Sequence, residues 1–221
     1  IEAGVALVDI GGGTTDVAIF KDGILRHTAV IPSGGNIVTE DVKEGCSIMR
    51  NQAELLKVKF GSALAEENSD NKIISIPGLK GRPPKEISTK NLASIIQARM
   101  EEIVGLINQE IKKSGFESRQ LIGGIVLTGG GSLLAHVAQL TEFITGIDTR
   151  VGWPSEHLSN NIPTEVNSPI YSTTIGLVLR GFEEINYFRK NPKKRNNIKI
   201  VGFDLFKDFF NKTSLFDKEV E

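Results

Sequence analysis

Short apolar runs bounded by glycine alternate along this chain with stretches whose apolar residues recur about every 3.6 positions. Val5-Ala6-Leu7-Val8-Asp9-Ile10 is a short apolar run, three glycines follow, and Asp16 to Phe20 resumes it, which predicts strand, loop, strand. Lys21-Asp22-Gly23 predicts a hairpin turn back into a third strand, Ile24 to Ile31. Pro32-Ser33-Gly34-Gly35 breaks the run, with Ser33 or Asn36 placed to cap a helix. Helical spacing then covers Ile37 to Glu44 and Ser47 to Phe60, the second helix stopping at Gly61.

Residues 62 to 90 are more polar, with short strands expected at Ile73 to Ile76 and Lys85 to Ile87. Leu92, Ile95, Ile96, Met100, Ile103, Ile107 and Ile111 then mark the apolar stripe of a long amphipathic helix. Ser88 or Thr89 is placed to start it and Gly115 to end it. The opening theme returns at Gly124-Ile125-Val126-Leu127-Thr128, a buried-strand run followed by Gly129-Gly130-Gly131-Ser132 and a helix expected from Leu133. A further helix to Gly146, a strand at Thr149 to Val151 and a last helix from Tyr171 to Tyr187 complete the pattern. A chain that opens inside a core strand is expected to continue upstream.

Composition narrows the classes. At 221 residues the chain can bury a proper core. Its net charge of −1 supplies no global field for nucleic acid. The single cysteine, Cys46, rules out an internal disulfide and reads as a small buried apolar residue in a reducing compartment. His27, His136 and His157 have no Cys or carboxylate neighbours at ligand spacing, so no structural metal site is expected. No apolar run reaches the roughly 18–20 residues that span a bilayer.

Two glycine triplets, each after a buried strand, need a reason, because ordering glycine costs roughly 0.5–1 kcal/mol relative to alanine. Without Cβ atoms, backbone N–H groups can converge on a bulky anion, and such a nest suits phosphate. Asp9 precedes the first loop, where a carboxylate can hold hydrated Mg²⁺ against phosphates. Thr14 and Thr15 add hydroxyl donors. Neither loop is a Walker A motif or a Gly-x-Gly-x-x-Gly fingerprint, and the first joins strand to strand rather than strand to helix.

Asp9-Ile-Gly-Gly-Gly-Thr-Thr-Asp16 resembles the second phosphate loop of the actin, Hsp70 and hexokinase superfamily, and Val126-Leu-Thr-Gly-Gly-Gly-Ser132 resembles its adenosine loop. Within that superfamily the chain most resembles the FtsA family of bacterial cell-division actins. Ser33-Gly-Gly-Asn-Ile-Val-Thr-Glu-Asp41, Gln52-Ala-Glu-Leu-Leu-Lys57 and Asn167-Ser-Pro-Ile-Tyr-Ser-Thr-Thr-Ile-Gly176 carry that likeness, which covers roughly residues 5 to 187.

The resemblance implies an α/β, actin-like (ribonuclease H-like) mixed sheet flanked by helices, with a smaller inserted α+β subdomain. It implies ATP and Mg²⁺ as ligands. Asp9 would order Mg²⁺ through water, and Gly11, Gly12, Gly13, Thr14 and Thr15 would face the β- and γ-phosphates. Glu54 and Lys57 would lie near the ribose and base, Gly35 would also belong to the nucleotide site, and Gly129, Gly130, Gly131 and Ser132 would lie under the adenosine. On spacing alone, Glu54 and Lys57 are an i, i+3 pair that also fits a solvated surface. By the same resemblance Arg99 and Glu102 would contact the C-terminal peptide of FtsZ, although they too form an i, i+3 pair that needs no partner. The family's first phosphate loop has no counterpart in these residues, which implies a one-sided site and at most a weak ATPase.

Beyond the last helix the composition changes. Arg189 to Lys199 is basic, with no acid, and reads as a flexible linker. Phe203-Asp-Leu-Phe-Lys-Asp-Phe-Phe-Asn-Lys-Thr-Ser-Leu-Phe216 follows, holding five of the eleven phenylalanines. As a helix it places Phe203, Leu205, Phe206, Phe209, Phe210 and Phe216 on one apolar side. Such a short helix needs a surface. The protein's own core is one, and a lipid interface is the other. Aromatic side chains at roughly 1.5–3 kcal/mol each and basic residues at about 1 kcal/mol each favour the second.

The expected organisation is a lower subdomain of residues 1–35 and 112–187, an upper insertion of 36–111, a basic linker of 188–202 and an amphipathic helix of 203–221. The expected role is an ATP-binding adaptor that self-associates into filaments and tethers FtsZ to the cytoplasmic face of the bacterial inner membrane at the division site. An actin-fold small-molecule kinase or a pilus-assembly actin homologue is the alternative.

Overall fold

The computed structural model describes residues 4–68, 72–78, 83–116, 118–155, 158, 163 and 165–190. The chain divides into two compact units, residues 1–173 and 174–221. The boundaries expected at 36 and 112 run inside the first unit. The expected amphipathic helix, with Phe203, Leu205, Phe206, Phe209, Phe210 and Phe216, lies outside the described residues.

Three strands open the first unit: β1 (Val5–Ile10), β2 (Thr15–Lys21) and β3 (Ile24–Ile31). They form an antiparallel meander. The β2–β3 turn has two residues, Asp22 (φ 55°) and Gly23 (φ 71°), and Asp-Gly suits two positive φ values in succession. Strands β6 (Ile125–Thr128) and β7 (Thr149–Val151) join the other edge in parallel, giving the order β3-β2-β1-β6-β7. β1 is therefore central, and both glycine loops leave the same end of it and its neighbour β6.

Between β3 and β6 come α1 (Gly35–Cys46), α2 (Arg50–Phe60), a separate two-stranded antiparallel sheet of β4 (Ile73–Ile76) and β5 (Lys85–Ser88), and the long helix α3 (Thr89–Lys113). Helix α4 (Val137–Thr145) precedes β7, and α5 (Ser172–Lys190) crosses into the second unit at Thr174. α5 runs three residues beyond its expected end at Tyr187, taking in the first residues of the expected linker.

The alternation in β1 and β2 buries Ala6, Val8, Ile10, Val17 and Ile19 in the core. Against it α3 sets Leu92, Ile96, Met100, Ile103, Ile107 and Ile111, all at most 2% exposed, on the stripe the sequence predicts. Ser88 caps α3, its hydroxyl accepting from Asn91 N–H at 3.1 Å. Ile103→Ala is expected to cost about 2–5 kcal/mol, the transfer and cavity penalty of a buried aliphatic truncation, read by denaturant titration.

Three local expectations are corrected. α1 is capped by neither Ser33 nor Asn36; Gly34 is its N-cap, without a side-chain cap bond. Its first amides go to the glycine loop instead, as described below. α2 begins at Arg50, because Ser47 closes α1 in a left-handed conformation (φ 48°). The segment after Gly129 is a single 3₁₀ turn, Gly130–Leu133, and α4 starts only at Val137, after His136.

Candidate nucleotide site

The first glycine loop is a four-residue connection closed by the Ile10–Thr15 pair and by Gly11 N–H donating to Thr14 C=O at 2.9 Å. Its carbonyls are occupied. Gly11 C=O accepts from Gly35 N–H at 2.9 Å, and Gly12 C=O accepts from Asn36 N–H at 2.8 Å. The start of α1 is thus capped by main chain. Gly34 has to be glycine for that approach, since a Cβ there would stand 2.9 Å from Gly12 C=O and 3.0 Å from Thr14 C=O. Among the described residues, the N–H groups of Gly12, Gly13 and Thr14 make no backbone hydrogen bond, so amides remain for an anion.

The hydroxyls of this loop are engaged. Thr15 is fully buried and donates to Ser33 C=O at 2.8 Å, while Thr14 donates to Asp16 Oδ2 at 3.1 Å. Asp9, at the end of β1, accepts from the Thr173 hydroxyl at 2.8 Å.

The second loop packs directly on the end of β1. Gly129 has φ 79°, and a Cβ there would overlap Asp9 Oδ1 and stand 2.6 Å from Ile10 C=O. A Cβ on Gly131 would overlap Ile10 Cγ2 and lie 2.8 Å from its Cβ. Close approach of two backbones therefore accounts for Gly129 and Gly131 in this triplet. Gly129 N–H donates to Pro169 C=O at 3.1 Å, and the buried Ser132 hydroxyl donates to Gly129 C=O at 2.7 Å.

Lys57 on α2 reaches across to α1. Its Nζ donates to Gly35 C=O at 2.9 Å and to Thr39 Oγ1 at 2.8 Å, and pairs with Glu54 Oε2 at 2.7 Å. Thr39 is buried and its hydroxyl faces both Gly35 C=O and Glu54. Partial burial pushes the Glu54 carboxyl up, but hydrogen bonds from Lys57 and Thr39 and the charges of Lys57 and Arg50 outweigh it. The carboxyl is held below its ordinary value. Lys57, only 15% exposed at its side chain, is thus a fixed cation rather than a solvated surface partner.

These elements enclose a 260 Å³ cavity. The sequence-predicted residues that line it are Gly11, Gly12, Gly35, Glu54, Lys57, Gly130 and Gly131. Asp9, Gly13, Thr14, Thr15, Gly129 and Ser132 lie outside its wall. Val38, Met100 and Leu134 give it an apolar lining, and Asn36, Val58, Leu133 and Ile170 also border it. Sequence reading missed these. Asn36 and Ile170 stand next to motifs already singled out, whereas Met100 and Val38 look like ordinary core residues.

Arg99 and Glu102 are not part of this site. The Arg99 guanidinium holds Asp41 of α1 through Nε at 2.6 Å and Nη2 at 3.1 Å, and also pairs with Glu102. The hydrogen bond to Asp41 raises the Arg99 pKa. An outside carboxylate at Arg99 would compete with Asp41.

Among the described residues no group of three or more His, Cys, Asp or Glu could cage a metal ion. A magnesium ion would instead be held by a single carboxylate, water and phosphate oxygens, which is how Mg²⁺ usually binds beside nucleotides. Asp9 fits that requirement in type, and stands near the end of β1 just before the first loop, outside the cavity wall.

A central parallel strand pair, an antiparallel meander and two facing glycine loops define an actin-like protein. MreB5 of Spiroplasma citri bound to ADP superposes with a TM-score of 0.62 at 22% identity, over 90% of this chain and 57% of that one. The family model for cell division protein FtsA matches residues 6–176, and the chain belongs to that family. It is 40% identical over 177 residues to cell division protein FtsA of Neisseria meningitidis and 36% identical over 188 residues to that of Escherichia coli. These alignments cover 80% and 82% of this chain but 42% and 44% of the relatives, so the chain spans less than half of their length.

Proposed function

We propose that the chain binds ATP with Mg²⁺ as a structural ligand and belongs to an adaptor that tethers FtsZ filaments to the membrane and self-associates at the division site. The observation that carries the nucleotide part is the convergence of both glycine loops with Lys57 and Glu54 on one cavity. At 260 Å³ it is somewhat below the roughly 300–1,000 Å³ of small-molecule pockets, which suits a nucleoside with its phosphates directed to the open amides of Gly12 to Thr14. Asp9 would hold the ion; bound Mg²⁺ would screen the phosphate charge. Family membership favours this reading over a small-molecule kinase or a pilus-assembly protein.

The membrane part rests on the sequence of residues 189–221, a basic stretch followed by an aromatic amphipathic pattern. Among the described residues no helix is long and apolar enough to cross a membrane; the interfacial reading rests on the tail's own pattern. Cosedimentation with anionic vesicles tests it. The 221-residue chain is expected to pellet with them and the chain ending at residue 188 to stay in the supernatant; equal pelleting would contradict the tether. The FtsZ C-terminal peptide would dock at Arg99 and Glu102 in competition with Asp41, so Asp41→Asn is expected to strengthen its binding and Arg99→Ala to weaken it.

A further inference from the structure

Ser62 and His136 are 74 positions apart in sequence and meet at 2.8 Å, Oγ to Nδ1. They lie where the segment after α2 crosses the segment before α4. Ser62 pairs with Ala135 in an isolated parallel bridge, and Ala63 N–H donates to Ala135 C=O at 2.8 Å. Gly61 and Leu134, the residues just before each arm of this bridge, are walls of the cavity. A Cβ on Gly61 would stand 2.9 Å from Leu134 Cδ1, so the two walls are already in contact.

The Ser62 hydroxyl is buried and has three polar neighbours: Leu64 C=O at 2.9 Å, Leu64 N–H at 3.2 Å and His136 Nδ1. It has one proton to give. With a bare Nδ1 it could serve either the carbonyl or the imidazole, leaving two acceptors in unpaired contact. With a proton on Nδ1 every contact is satisfied at once: Nδ1–H donates to Oγ, Oγ–H donates to Leu64 C=O, and Leu64 N–H donates to the remaining lone pair. His136 also holds φ 62°, a left-handed conformation that non-glycine residues seldom adopt and keep only where surroundings fix it.

We infer that His136 is a positioning residue of the nucleotide cavity. Its Nδ1–H clasps Ser62 and so fixes Gly61 and Leu134 as one continuous wall between the inserted helices and the second glycine loop. This rests on the nucleotide reading and deepens it.

Two substitutions separate the clasp from the backbone. Asparagine tolerates the left-handed conformation and offers an N–H donor near the place of Nδ1; glycine tolerates it and offers none. In the 221-residue chain, His136→Gly is expected to weaken binding of a fluorescent ATP analogue with Mg²⁺ about three- to tenfold, the worth of one hydrogen bond. His136→Asn is expected to stay within about twofold of wild type. Ring-nitrogen NMR on the nucleotide-free chain should show neutral His136 protonated on Nδ1. Unchanged affinity in His136→Gly, equal loss in His136→Asn, or a proton on Nε2 alone would each overturn the inference. A wild-type chain that binds no nucleotide would overturn the cavity's assignment and the positioning role with it, while Nδ1 protonation would still identify the clasp as purely structural.

Discussion

Gly129→Ala is expected to destabilise the protein by about 3–5 kcal/mol and to abolish nucleotide binding at the temperature where the wild type is folded. Two penalties act together. The backbone at φ 79° is one that L residues rarely adopt, and the added methyl would overlap the Asp9 carboxylate and stand 2.6 Å from Ile10 C=O. Neither neighbour can retreat cheaply, because β1 is paired on both sides, to β2 and to β6. Main chain would have to shift at the very strand end from which both loops depart. Thermal unfolding should move by about 10 °C or more. Gly13→Ala is the control. Its Cβ would meet nothing within 4 Å, so the fold should be kept. A Gly129→Ala protein melting with the wild type would mean that the second loop is not packed on the end of β1.

Lys57→Met is expected to lower the affinity for ATP with Mg²⁺ roughly tenfold to a hundredfold, the worth of one or two charged hydrogen bonds lost in a partly buried site. The substitution keeps the stem's length and removes three partners at once: Gly35 C=O, Thr39 and Glu54. Arginine should not restore it, since a planar fork does not reproduce a compact ammonium between two helices. Glu54 gives this site a pH dependence. Its carboxyl is held below the ordinary value in the folded protein, so the stability it adds is complete above the unfolded carboxyl's pKa of roughly 4.3 and is lost as the pH falls through the folded value. In Lys57→Met the acid side of the profile should shift upward. An unchanged affinity, measured calorimetrically, would remove Lys57 from the site.

Much of this was legible from short-range pattern. An apolar run marks β1 and a 3.6 period marks the α3 stripe, because β1 sits at the centre of the sheet and α3 meets the core along one face. Asp22-Gly23 announces its own turn because the required φ values are local. What the sequence could not announce is long-range polar pairing. Asp41 finds Arg99 across 58 positions, and Ser62 finds His136 across 74; neither pair has a spacing that singles it out. Ser33 and Asn36 looked like helix caps because those residue types usually are. Here the glycine loop's own carbonyls take the amides of Gly35 and Asn36, a contact that exists only once β1 and α1 are side by side. The same holds for the cavity, whose glycines were visible while Val38, Met100 and Leu134 were indistinguishable from core.

The most direct measurement is a titration of the ¹⁵N-labelled chain with a non-hydrolysable ATP analogue and Mg²⁺, followed by amide NMR. The predicted result is that resonances of Gly11 to Thr14, Gly35 and Gly129 to Gly131 shift together along one saturating curve. Saturation with those amides unmoved, or movement of one loop without the other, would contradict the account.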